Sequence, residues 1–349
     1  MTATKQNSER LTPQQEISEG YVEYVVSPTA VGRSAIRYGS PDSTVKGAVQ
    51  DWVDQGVSDI LSGQSEAVLG AEKLVSDARE FIERLTGIRV EAPVIWQDYV
   101  PTSTIGGTFY PILGIVTAVS YERDPGIANP SKHYELFRDM GTLIHEFMHA
   151  TGATSRRVVV VRKINETLVR CSFGMRTIRL RQHSDPSDRM EPGGDFLEEA
   201  CAEEAASRWR EWMEPTRKYV TQEHTHAMGD EPPLPWRYLN TDVGLYWGSR
   251  DADIVWCGYS WSAYCAEAIR LIGEHTGEDI FALMVEARDP VKEAEAKRKI
   301  VRTIDSVEPG LYKKLRDLQY SREAFIEGYE LVVGALKRAR SRDELREVA

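Results

Sequence analysis

No run of roughly 18 consecutive apolar residues occurs in the chain, so no membrane-spanning helix is expected. The N-terminal segment MTATKQNSERLTPQQE lacks the apolar stretch of a secretory signal, and a soluble, cytoplasmic protein is expected. Cysteine is scarce. Cys171, Cys201, Cys257 and Cys265 are scattered and form no CxxC pair, which argues against a cysteine-based zinc site and for buried free thiols. Positive charge is also short: 43 Lys and Arg against 54 Asp and Glu leave a net charge of −11. A nucleic-acid partner calls for a basic patch or stripe, so none is expected. The local run Arg176, Arg179 and Arg181 fits the solvent face of a strand. No internal repeat is seen.

The 349 residues, 41% of them hydrophobic, suffice to bury a sizeable core without disulfides. Residues 1–18 are polar and read as loosely attached, 21–26 (YVEYVV) as a short strand, and 27–63 as a Gly-, Ser- and Pro-rich stretch without a clear element. From Gln64 to Thr86 an apolar stripe through Leu74, Val75, Phe81, Ile82 and Leu85 predicts a helix, with Gly87 as its C-cap. IRVEAPVIW (88–96) and ILGIVTAVSY (112–121) predict strands. Asn129-Pro130-Ser131 opens a further helix that Gly152 closes; Leu136, Met140, Leu143 and Phe147 form its core stripe, while Arg138, Thr142, His145 and His149 share another face. A β-hairpin is expected over 157–181, then a polar loop and a helix over 196–213. Residues 214–256, rich in Pro and Trp, read as irregular, and the chain from about Trp261 onward as mostly helical, with turns at Gly277 and near Pro290 and Pro309.

The chemistry concentrates in HEFMH, residues 145–149. Positions four apart lie on one face of an α-helix, so His145 and His149 can reach one metal ion together. Glu146 is turned by roughly 100° from His145. It is better placed to act on a water as general base than to be a ligand, which is the mechanical content of the HExxH pattern for Zn²⁺. A catalytic zinc site takes three protein ligands. HEFMHATGATS starts like the metzincin pattern HExxHxxG, but its next ligand would fall on Ser155, a poor one. A better source is GGDFLEEACAEEAASRW. There Asp195 reads as an N-cap and Glu198 as the returning carboxylate of a capping box. Glu199 and Glu203 then share a face: Glu199 can bind the metal while Glu203 accepts the ring N–H of a ligating histidine. His183, His224 and His226 are alternative ligands.

LEEACAEE resembles the ExxxE helix of the gluzincin metallopeptidases, the thermolysin-like clan, and the resemblance implies Glu199 as ligand and Glu203 behind a histidine. Fifty residues separate His149 from Glu199, more than is usual there, and the hairpin and polar loop fill the difference. The segment from Tyr259 through Tyr264 to Phe281 is similar to the tyrosine-bearing helix of the aminopeptidase N type. It implies that Tyr264, with Tyr259 in reserve, donates to the oxyanion that such hydrolysis develops. GGTFYPILGIVT resembles the family's GGMENPxLxxVT strand, which implies that Gly107 and the strand at 112–119 align a substrate backbone. Phe109 stands where the family has the glutamate that holds a free α-amine, so an endopeptidase or a different exopeptidase is expected.

The expected architecture is α+β and gluzincin-like: a twisted mixed sheet with the active-site helix (61–155) and a mainly helical lobe carrying the Glu199 helix and an inserted hairpin (156–349), after an N-terminal segment (1–60) of no assigned role. The expected function is zinc-dependent cleavage of peptide or protein substrates, with no nucleic-acid or membrane partner. The alternative is a non-catalytic zinc-binding structural or interaction protein with a degenerate peptidase fold. An intact Glu146 argues against it, since a structural site has no use for that residue.

Overall fold

The computed structural model describes residues 21–26, 34–38, 58–64, 71–97, 106–111, 114–119, 132–152, 157–163, 166–182, 193–213, 237–241, 244–251, 254–259, 261–289 and 291–348. They form a mixed α+β structure in which helices predominate.

Three strands, β3 (Val94–Gln97), β4 (Gly107–Tyr110) and β5 (Ile115–Val119), make a small mixed sheet in the order β3-β5-β4. β3 runs parallel to β5 and β4 antiparallel to it. Ile115, Val116, Thr117 and Ala118 are all buried, the continuous burial of a central strand with neighbours on both sides. The ladder is shorter than the sequence predicted: residues 88–93 form no strand, and pairing begins only at Val94.

Helix α1 (Ala71–Thr86) buries Ala71, Leu74, Ala78 and Ile82, one stripe at helical spacing, and Gly87 closes it with an N–H bond to the Glu83 carbonyl. It packs beside α2 (Lys132–Thr151), where Arg79 lies over the Phe147 ring at 5.5 Å. Gln64 precedes this helix by several residues, and the predicted helical stretch 65–70 lies outside the described residues, as does Asn129-Pro130-Ser131.

A five-stranded antiparallel sheet follows α2. β6 (Arg157–Lys163), β7 (Glu166–Phe173) and β8 (Arg176–Gln182) form a meander, one strand more than the expected hairpin. β1 (Tyr21–Val26) pairs with β6, and β2 (Ser34–Tyr38) pairs with β1, so a strand arises in the stretch read as lacking one. A third sheet, antiparallel, consists of β9 (Arg237–Thr241), β10 (Gly244–Asp251) and β11 (Ile254–Tyr259). It corrects the irregular reading from Arg237 to Trp256, and residues 214–236 of that reading lie outside the described residues. The Pro residues there precede the strands, and the Trp and Tyr that looked like loop composition favour a pleated surface.

The remaining helices are α3 (Asp195–Met213), α4 (Ser262–Thr276), α5 (Ile280–Glu286), α6 (Glu293–Val307), α7 (Leu311–Arg316) and α8 (Arg322–Val348). α3 is the most enclosed. Phe196, Leu197, Ala200, Cys201, Ala202, Ala205, Ala206 and Trp209 are buried, and its small residues allow α2 and α4 to approach closely. Cys201 and Cys265 are buried free thiols, and burial pushes Cys201 up to about 12. Among the described residues no helix is long and apolar enough to cross a membrane.

Candidate metal centre

A helix as enclosed as α3 should carry few charges, because a buried carboxylate without a partner is strongly unfavourable. Yet Asp195, Glu198, Glu199 and Glu203 are all buried on it. Their partners show what the site does.

His145 and His149 project from α2 toward α3. Their Nε2 atoms lie 3.2 Å apart, Glu199 Oε2 is 3.2 Å from His145 Nε2, and Glu199 Oε1 is 3.4 Å from His149 Nε2. Ligand atoms about 2.0–2.1 Å from a tetrahedral metal are separated by about 3.3–3.4 Å, so this spacing fits such a site. The opposite ring nitrogens face carboxylates: His145 Nδ1 is 3.4 Å from Glu203 Oε2, and His149 Nδ1 is 3.2 Å from Glu198 Oε1. A carboxylate accepts, so each Nδ1 can carry the ring proton, which leaves each Nε2 lone pair free for a metal. Two lone pairs and a carboxylate facing one another at this range repel unless a cation lies among them. The cluster His145, His149 and Glu199 can therefore hold a metal ion.

Without a metal the cluster draws protons instead. Burial opposes charge on His149, but Glu199 and Glu198 outweigh it and raise the ring to about 9. Burial likewise opposes charge on His145, and its bonds to Glu199 and Glu203 raise it well above the usual imidazole range. Burial alone would push Glu199 up, but the two histidines hold it well below the ordinary carboxylate range.

Glu146 lies on the adjoining face of α2, against β4. Burial raises its carboxyl, the two histidines pull it down, Glu199 pushes it up, and a bond from the Phe109 backbone N–H lowers it. Gly107 permits this approach. A Cβ there would come within 2.7 Å of Thr142 Cγ2 and 2.9 Å of Glu146 Cγ. The likeness-based strand therefore sits against the general-base candidate, and Gly107 is where the two touch.

Two expectations are corrected. Glu198 is not the carboxylate of a capping box. It is fully buried, Oε1 accepts from Arg288 Nη2 at 2.7 Å, and Oε2 accepts from the Met175 N–H at 2.8 Å. Asp195 opens α3 as a helical residue and its carboxylate pairs with Arg176. That contact also takes Arg176 away from the solvent-facing role expected of it.

No family model, curated protein or solved structure matches this chain. The reading of the site rests on its own geometry.

Several participants were not foreseen. Ser262, at the start of α4, donates to Glu199 Oε2 at 3.2 Å. Tyr320, between α7 and α8, is 50% exposed, and its ring packs edge-on against Phe325 at 5.3 Å with Arg176 over it at 5.7 Å. The charge of Glu199, then burial, then the charge of Glu146 raise its phenol far above the usual range, so the hydroxyl lies within the field of the cluster's carboxylates. Tyr264 is buried in the core, its ring 5.7 Å from that of Tyr329. It follows Ser262 by two residues, and two residues turn a helix by about 200°, so the two side chains leave α4 on opposite sides. Tyr259 ends β11. His183, His224, His226 and Ser155 lie outside the described residues. Nothing in the sequence near Tyr320 signals a site, and Ser262 falls in the segment singled out for Tyr259 and Tyr264.

Proposed function

We propose that the protein is a zinc-dependent metallopeptidase with a gluzincin-like arrangement of its centre. The observation that carries the reading is the three groups His145, His149 and Glu199, whose facing nitrogens and carboxylate oxygens lie 3.2–3.4 Å apart, with Glu146 on the adjoining face of the same helix. A structural site needs no buried carboxylate beside it, whereas a hydrolytic one needs a base. His145, His149 and Glu199 would hold the ion, and their imidazole and carboxylate donors suit Zn²⁺. Zn²⁺ held there would supply Lewis acidity and would lower the pKa of a water it binds toward ~7.

The chain's own groups do the rest. Glu146 accepts the proton of the attacking water and passes it to the leaving amine. Its bond from Phe109 N–H fixes the carboxylate while leaving it basic enough, through burial, to take that proton. Tyr320, rather than Tyr264, donates to the carbonyl oxygen as charge develops on it. The substrate strand is β4 rather than the 112–119 stretch: β5 is flanked on both sides, whereas β4 is an edge of its sheet among the described residues. An extended peptide can add to that edge by backbone pairing.

The test compares zinc-loaded wild type with Glu146→Gln on a mixed peptide library read by mass spectrometry. Wild type should cleave, and the variant should keep stoichiometric Zn²⁺ while turnover falls by about 10²–10⁴. A wild type as inert as the variant on every peptide would remove the enzyme reading and leave a metal-binding protein.

A further inference from the structure

We propose that Arg288 is a positioning residue of the metal centre, bracing the two ligand-bearing helices against each other and, through Glu198, fixing the ring of His149. This rests on the metal-binding reading above. Arg288 follows α5 and its side chain has no exposed surface. Its Nε donates to Thr151 Oγ1 at 2.7 Å, its Nη1 to the Met284 carbonyl at 3.0 Å and its Nη2 to Glu198 Oε1 at 2.7 Å. Thr151 stands two residues beyond the ligand His149 on α2. Glu198 stands immediately before the ligand Glu199 on α3. One planar guanidinium thus joins both helices next to a ligand on each.

Glu198 carries the constraint to the ring. Its carboxylate takes Arg288 on Oε1 and the Met175 N–H on Oε2, so its plane and position are set from two directions. What it presents to His149 Nδ1, 3.2 Å away, is an acceptor. The ring is held with Nδ1–H toward Glu198 and Nε2 toward the metal. The turn that supplies Met175 is fitted to the same purpose. Gly174 has φ +49°, and a Cβ there would run into the Glu198 carboxylate. Thr151 in turn donates to the Met148 carbonyl at 2.6 Å, which ties the brace to the last turn of α2. Lysine could keep the charge but not the fork: its ammonium is a point donor without the fixed planar geometry that reaches separated partners. A buried ion pair kept only for packing can often be exchanged for apolar groups of like volume. A brace cannot, because ring and helix spacing are set by its directional bonds.

The experiment titrates the full-length wild type, Arg288→Lys, Arg288→Met and the double variant Arg288→Met/Glu198→Gln with Zn²⁺ against a chromogenic chelator. It also records Co²⁺ absorption spectra as a report of ligand geometry. Arg288→Met should bind Zn²⁺ about ten- to a hundredfold more weakly, with altered Co²⁺ bands, and Arg288→Lys should fall between it and wild type. Should the stranded Glu198 carboxylate prevent Arg288→Met from folding, the double variant, which strands no charge, carries the test. It should fold, bind Zn²⁺ at least about tenfold more weakly and show the altered bands. A folded variant within about twofold of wild type, with unchanged bands, overturns the proposal. A wild type that takes up no Zn²⁺ overturns the metal-binding reading itself, and the wild-type titration alone separates that failure from the first.

Discussion

The two sides of the metal cluster are built differently. On the inner side, His149 is held by Glu198, which is locked by a buried arginine and a backbone amide, and the side chains of Glu198 and Arg288 have no exposed surface. On the outer side, His145 keeps 15% of its side-chain surface, and Tyr320 stands half exposed with its phenol raised by the charges of Glu199 and Glu146. One side supplies rigidity and the other access. A hydrolytic centre needs both: ligands that do not move, and a face where substrate can enter and charge can be met. The inner groups should therefore govern stability as well as metal affinity, and the outer ones metal affinity and turnover with little effect on stability.

The sharpest way to break this division is to truncate inner and outer carboxylates. Glu198→Ala strands the Arg288 charge in the interior and should cost about 3–5 kcal/mol of stability. Glu203→Ala, which also removes a histidine's acceptor, should chiefly weaken metal binding. Urea unfolding of the two variants measures the difference, and equal losses would erase the contrast. Next in size, Tyr320→Phe should lower turnover by about 10²-fold with Zn²⁺ content intact, whereas Tyr264→Phe should leave kcat unchanged. The reverse result in steady-state assays would return the oxyanion role to α4. A further effect is on pH. Because both rings are raised in the metal-free protein, His149 to about 9, Zn²⁺ must displace protons that it holds at neutral pH. Apparent affinity should rise by up to about tenfold per pH unit per displaced proton between pH 6 and 8. The metal-free protein runs the other way. Stability drawn from raised histidines is complete below their unfolded value near 6.5 and is lost as pH climbs through 9. Chelator competition and thermal melts across that range check both signs, and a flat affinity profile would mean the rings are not the groups displaced.

The legible part of the site was the part with a period. His145, Glu146 and His149 stand on one short helical repeat, and Glu199 and Glu203 on another, so helical geometry predicted which of them share a face. Glu198 was misread for an instructive reason. Local logic offered it a nearby capping role, but burial gave it partners at Met175 and Arg288 that lie far along the chain. Ser262, Arg288 and Tyr320 belong to no spacing rule and reach the site only through packing. The same holds for the fold. α1, α2 and α3 follow their apolar stripes, while β9, β10 and β11 were hidden by aromatic-rich composition and β2 by its surroundings of Gly, Ser and Pro.

The turn at Gly174 and Met175 has a consequence for how this chain can change over time. It belongs to the meander that lengthens the distance between His149 and Glu199, a stretch that in outline looks like a decoration. Its Met175 amide nevertheless closes the support of a ligand ring. Once wired in this way, the stretch is no longer free to shrink or vanish. Lineages that carry it would tolerate drift along its strands but would keep the corner, because losing two residues there would undo a centre assembled from helices on either side.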